Sequence, residues 1–123
     1  MTSTTNIQIS EQTLQRRKLK KQAKRKLECY KFTRRLYRFI RHHPENIEFK
    51  KFYNGWAGSY DYDTTEIELD YRRDVVSTLV HEFLHHIQPD WNHTKIRTWE
   101  SRMMNSLTPR QYKNILRVIV EYV

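Results

Sequence analysis

Residues 77–103 read STLVHEFLHHIQPDWNHTKIRTWESRM, and this stretch decides how the chain is organised. Asp74 is suited to cap a helix that carries apolar residues at helical spacing, and Pro89 sets the end of that helix. Asn92 is suited to cap a second helix, and the Thr-Pro pair at 108–109 gives a cap and a first-turn proline to a third. The sequence therefore predicts three consecutive helices in the C-terminal half.

The segment before these helices has the pattern of short strands. IEFKKFY (47–53), WAGSYDY (56–62) and EIELD (66–70) are separated by the turn signals Asn54-Gly55 and Asp63-Thr64. We expect three antiparallel strands, with 66–70 at the edge of the sheet. Together with a long N-terminal helix, this order predicts an α+β fold.

The N-terminal third divides into a tail and a helix. Residues 1–10 are predicted to be a disordered tail, and Ser10 is suited to cap a basic helical arm over 11–43 that packs on a core formed by 44–123. The apolar stripe predicted to face the core comprises Leu27, Tyr30, Leu36, Phe39 and Ile40.

Positive charge is concentrated in this helix. Of the 23 Lys and Arg residues, 13 lie between Arg16 and Arg41. Such a segment suits a nucleic acid or an acidic partner, or it is simply a solvated helix. The opening residues lack the apolar centre of a signal peptide and no run is long enough to span a membrane, so we expect an intracellular, cytoplasmic protein. The lone Cys29 excludes an intrachain disulfide.

The most informative motif is the histidine cluster in the predicted helix at 75–87. His81 and His85 are four residues apart, so both imidazoles project from one helix face and can share one ion. Glu82 lies one step around the helix, and the pattern is H-E-x-x-H. In this arrangement Zn²⁺ lowers the pKa of water and a carboxylate that does not ligate the metal acts as general base. We expect Zn²⁺ here, with Glu82 as the catalytic residue.

A catalytic zinc ion usually takes a third protein ligand. Glu100 is the expected one, because it lies on the same helix face as Ile96 and Met103, where an acid needs a cation or a hydrogen-bonding partner. His93 is the rival ligand. His86 points about 100° away from His85 around the helix and is expected to lie outside the metal site.

Residues 77–103 resemble the gluzincin zinc peptidases, particularly the small intracellular minigluzincins, and a weaker similarity extends over about 46–120. The resemblance implies an active-site helix followed by a glutamate helix, with His81, His85 and Glu100 as zinc ligands and Glu82 as general base. It also implies that a strand within 58–74 borders the cleft and pairs with an extended peptide or protein substrate. The chain also resembles the SprT-like (Spartan-type) proteases, which attack proteins on DNA and use a third histidine, although Thr94 replaces the usual glycine.

These features favour a small zinc-dependent metallopeptidase, in either an active or a latent form. The alternatives are an SprT-like protease with His93 as third ligand, and a nucleic-acid-binding protein with a structural zinc site. His93, Tyr112 and Tyr60 are candidates for stabilising the oxyanion. Substrate, cleavage specificity and oligomeric state are not encoded in any motif of the sequence.

Overall fold

The computed structural model describes residues 10–122, together with the side chains of 10–121. The predicted tail lies outside the described residues except for Ser10. Four helices and a small three-stranded sheet make up the described chain, which confirms the α+β class. No helix within this part of the chain is both long enough and apolar enough to cross a bilayer.

Helix α1 spans Glu11–His42, and its first turn is capped as predicted. The backbone N–H of Thr13 donates to the Ser10 hydroxyl oxygen over 3.2 Å. Only the second half of α1 enters the core, through its buried side chains Cys29, Phe32, Thr33, Leu36, Phe39 and Ile40. The first half is exposed nearly throughout.

Two residues of the predicted stripe on α1 do not face the core. Leu27 is 52% exposed and Tyr30 is 57% exposed, whereas Leu36 is fully buried. At about 100° per residue, Leu27 lies on roughly the opposite side of the helix from Leu36, and Tyr30 lies about 120° away. Their assignment to the core was therefore wrong, and Cys29 and Phe32 occupy the inward positions.

The sheet is mixed, which corrects the prediction of three antiparallel strands. After a 3₁₀ turn at Pro44–Asn46, strands β1 (Ile47–Lys50), β2 (Gly58–Tyr60) and β3 (Ile67–Asp70) assemble in the order β1-β3-β2. Strand β1 pairs with β3 in parallel, and β2 pairs with β3 in antiparallel orientation. The last strand is therefore central, and the prediction that 66–70 is an edge strand was wrong.

The burial of β3 explains why it takes the central position. Ile67 and Leu69 are fully buried, so this strand gains most from neighbours on both edges. The connection from β1 to β2 passes β3 instead of folding back as a hairpin. Asn54-Gly55 still forms a turn, with Gly55 at a φ of 83°, but the strands on either side of it are not paired with each other.

Asp70, the last residue of β3, places an acidic side chain inside the protein. Its side chain is fully buried, and Arg72 donates to it from Nε over 3.0 Å and from Nη2 over 2.7 Å. The same guanidinium donates to the carbonyl oxygen of Phe52 over 2.6 Å. This ion pair therefore ties the segment after β1 to the end of the central strand.

The three C-terminal helices begin at the predicted caps. Helix α2 (Val75–Ile87) is capped by Asp74, and helix α3 (His93–Ser106) by Asn92. Helix α4 spans Pro109–Tyr122, and before it the Thr108 and Gln111 side chains each accept from the backbone N–H of the other, as in a capping box. Helix α2 packs against both the sheet and α3, which brings its histidines to a cleft between these elements.

Candidate metal centre

Three histidines from two helices meet at one point. His81 and His85 project from α2 with ring centroids 5.0 Å apart, and His93 approaches from the first turn of α3. Its ring centroid lies 5.9 Å from that of His81 and 4.9 Å from that of His85. One ring nitrogen of each residue lies within 4.8 Å of the other two, a spacing that suits a shared metal ion.

Glu100, the expected third ligand, lines the same cleft and contacts His81. Its Oε1 atom is 2.7 Å from Nδ1 of His81, and its Oε2 atom accepts from the Ser77 hydroxyl over 3.5 Å. The carboxylate thus contacts one ring nitrogen of His81 and leaves the other, Nε2, available. A carboxylate in this position orients a metal-binding histidine and fixes its tautomer.

The pKa values of His81 and His85 are shifted in opposite directions because the surroundings of the two residues differ. The hydrogen bond to Glu100 raises the pKa of His81. Burial, together with the proximity of His81 and His93, lowers the pKa of His85 to about 4. His85 is therefore neutral at pH 7, which is the form of imidazole that binds a metal.

Glu82 lies beside the histidines with its side chain buried in the wall of the cleft. It is 8% exposed, and burial raises its pKa to about 7, an effect that the Glu100 carboxylate adds to and His81 opposes. A carboxyl group with a pKa near the working pH is suited to accept and return a proton.

The hydroxyl groups of two tyrosines contact histidines of α2. The Tyr62 hydroxyl lies 3.2 Å from Nδ1 of His85, and the Tyr60 hydroxyl lies 2.7 Å from Nδ1 of His86. His86 is packed against Phe39 and stays outside the group of three nitrogens, as the helix geometry predicts. The contact between Tyr62 and His85 was not predicted. Tyr60 and Tyr62 are two residues apart in the predicted strand 56–62, and residues two apart in an extended segment face the same side.

Two of the three candidates for oxyanion stabilisation line the cleft. Tyr60 and His93 line the cleft. The hydroxyl of Tyr112 instead donates to the Asp74 carboxylate over 3.1 Å, at the N-terminus of α2. Arg97, one turn after His93 on α3, also lines the cleft and was not among the predicted residues.

The cleft itself is large enough for a chain of several residues. It has a volume of about 720 Å³, and edge strand β2 lines it along its whole length. Gly58 makes the close approach of β2 to α2 possible, because a Cβ atom there would lie 2.5 Å from Cγ2 of Thr78 and 2.7 Å from the carbonyl oxygen of Glu68. The strand that borders the cleft is therefore β2 and not residues 66–70.

Neither a protein-family model, nor a curated protein, nor a solved structure matches this chain. The function therefore rests on the chemistry of the cleft residues.

The residues of the cleft fit a transition-metal ion. Imidazole nitrogens suit zinc, and catalytic zinc sites typically combine three protein ligands with one open position. His81, His85 and His93 supply three such nitrogens on one side of an open cleft. His81 and His85 also each have an oxygen partner at Nδ1, which is the arrangement that leaves Nε2 for a metal.

Proposed function

We propose that this protein is a metal-dependent peptidase in which His81, His85 and His93 hold a Zn²⁺ ion and Glu82 is the general base. The observation that carries the proposal is the convergence of three histidine nitrogens within 4.8 Å beside a buried glutamate in an open cleft. The gluzincin resemblance implies a different third ligand, Glu100. We favour His93 because Glu100 already contacts Nδ1 of His81 and the hydroxyl of Ser77.

When bound, Zn²⁺ would supply Lewis acidity towards a substrate carbonyl and would increase the acidity of water. Glu82 would accept a proton from the attacking water and return it to the leaving amine, since its pKa of about 7 suits both steps. Glu100 would hold the ring of His81 in position, and Tyr62 that of His85.

Strand β2 would bind the substrate backbone. Its partner β3 pairs with it along one edge only, and Gly58, Ser59 and Tyr60 all line the cleft. An extended peptide can add to such an edge through main-chain hydrogen bonds. This mode of binding favours an unfolded or extended protein segment as substrate.

Glu82→Gln tests the mechanism, because the substitution preserves the size of the side chain and removes the base. We expect one zinc ion per chain in both the native protein and the variant, with cleavage of a peptide library about 100- to 10,000-fold slower in the variant. Glu45→Gln, at an exposed site outside the cleft, is the matched control and should cleave at the native rate. A Glu82→Gln protein that keeps full activity would exclude this mechanism.

A further inference from the structure

One side of α1 carries a row of cations that the metal centre does not use. Lys20, Lys24, Lys31, Arg35 and Arg38 are separated by four, seven, four and three residues, so they fall along one side of the helix. All five are exposed. At about 1.5 Å per residue, the row is roughly 27 Å long.

Few acids neutralise this row. Between Glu11 and Glu28 the helix has no acidic residue. Across residues 10–122, the one ion pair within 4.0 Å that involves a cation of α1 joins Lys31 to Glu28 over 3.7 Å. The row therefore forms a line of largely uncompensated positive charge at exposed positions of α1.

A second cleft adjoins the C-terminal end of the row, and two of the row's cations line it. It has a volume of about 350 Å³, and Arg35, Arg38, His42 and His43 line it together with aromatic and apolar residues of α1 and α2. It shares no lining residue with the metal-binding cleft. The positive surface is thus a separate feature of the molecule.

We propose that this face of α1 binds the phosphate backbone of double-stranded DNA without sequence preference. A linear array of Lys and Arg complements a linear polyanion, and binding releases the counterions of the phosphates. The exposed first half of α1 carries eight cations between residues 16 and 26, six of them in addition to Lys20 and Lys24 of the row. The major groove of B-DNA admits an α-helix, and phosphates then flank it on both sides, whereas the major groove of A-form RNA is deep and narrow.

The apolar residues of the arm do not favour a membrane surface. An interfacial helix needs a continuous apolar face, commonly with Trp, Phe and Leu. Residues 11–29 contain no aromatic side chain. The exposed Leu19, Leu27 and Tyr30 lie within about 80° of one another around the helix, but Arg16 and Arg34 share this side. Leu14 lies about 140° away from Leu19, so the apolar side is short and interrupted by charge.

The test compares two variants of equal net charge in the full-length protein. The row variant combines Lys20→Gln, Lys24→Gln, Arg35→Gln and Arg38→Gln, and glutamine preserves helix propensity. The matched control combines Lys51→Gln, Arg110→Gln, Lys113→Gln and Arg117→Gln, all at exposed positions outside α1. Circular dichroism and thermal unfolding establish that each variant is folded.

The readout is the affinity for a labelled DNA duplex of about 20 base pairs, measured over a series of salt concentrations. The slope of log K against log salt becomes shallower by about 0.9 for each lost phosphate contact. We therefore expect the slope to become shallower by about 3.6 in the row variant and by less than about 1 in the control. Single-stranded RNA and vesicles containing anionic lipid are the competing probes, and we expect both to bind more weakly than the duplex.

Equal losses in the two variants would overturn the proposal, because net charge alone would then explain binding. Binding of the protein to the vesicles without binding to the DNA duplex would also overturn the proposal. The pair Lys20→Gln with Lys24→Gln repeats the test on the exposed half of α1, away from the core, and should lose about half the slope change. Glu82→Gln should bind DNA like the native protein, so this proposal and the proposed peptidase can fail separately.

Discussion

The Oε1 atom of Glu100 lies 2.7 Å from Nδ1 of His81, and this contact joins α3 to α2 in the cleft that the three histidines line. The carboxylate also raises the pKa of His81 and accepts from the Ser77 hydroxyl. Glu100 therefore links two residues of α2, His81 and Ser77, to α3.

We predict that His93→Ala will lose zinc affinity more severely than Glu100→Gln. His93→Ala would remove one of the three proposed ligand nitrogens, whereas Glu100→Gln keeps an oxygen near His81 and removes the charge. The loss of an orienting partner typically weakens metal binding about 10- to 100-fold, and we expect His93→Ala to exceed this range. Titration with a competing chelator measures both affinities.

His86→Ala is the control for this comparison, because His86 neighbours the site in sequence but contacts Tyr60. Its zinc affinity should match that of the native protein. If Glu100→Gln abolished zinc binding and His93→Ala preserved it, the gluzincin arrangement expected from the sequence would be correct.

The sequence could not decide between these two residues because they occupy the same face of one helix. His93 and Glu100 are seven residues apart, close to two full turns, so any rotation of α3 that brings one towards α2 also brings the other. Their different distances from the histidine nitrogens depend on how α3 slides along α2. That packing is set by contacts across the core, which the spacing of residues does not encode.

The distinction between contacts that are near in sequence and contacts that are distant also explains which parts of the fold could be predicted. The helix starts were predictable because caps such as Asp74 and Asn92 act within three residues. The strand order was not, because β3 had to be inserted between strands that precede it in the chain. Asn54-Gly55 is a typical hairpin signal, yet it specifies a turn and not which strands pair.

Tyr62→Phe should weaken zinc binding, because the hydroxyl is the partner of Nδ1 in His85. Without it the imidazole loses the hydrogen bond that orients the ring, and we expect affinity to fall about tenfold. Tyr60→Phe is the matched control, since the Tyr60 hydroxyl contacts His86. Chelator competition measures both, and equal losses of affinity in the two variants would argue against a specific role for Tyr62.

Asp70→Asn should destabilise the protein in a pH-dependent way. Hydrogen bonds from Arg72 hold the pKa of Asp70 well below its usual range. A carboxyl whose pKa is lowered by folding stabilises the native state above its unfolded pKa of about 3.9 and loses this contribution as the pH falls towards the folded pKa. The variant should therefore unfold at a lower temperature at pH 7, and the difference from the native protein should shrink below about pH 4.

Thermal unfolding between pH 7 and pH 2 measures this difference. Asp90→Asn, at an exposed position, is the control and should follow the native curve. A difference between Asp70→Asn and the native protein that stays constant down to pH 2 would mean that the charge of Asp70 does not contribute.

Gly58→Ala should destabilise the protein by forcing β2 away from α2. The added Cβ atom would lie 2.5 Å from Cγ2 of Thr78 and 2.7 Å from the carbonyl oxygen of Glu68, and overpacking of this kind typically costs about 1–3 kcal/mol. Thr78→Ser removes the first obstacle and keeps the hydroxyl that donates to the carbonyl oxygen of Asp74. Urea unfolding of the single and double variants should show partial rescue, because the contact with Glu68 remains. If the double variant were no more stable than Gly58→Ala, the contact with the Glu68 carbonyl oxygen of β3 would account for the whole loss of stability.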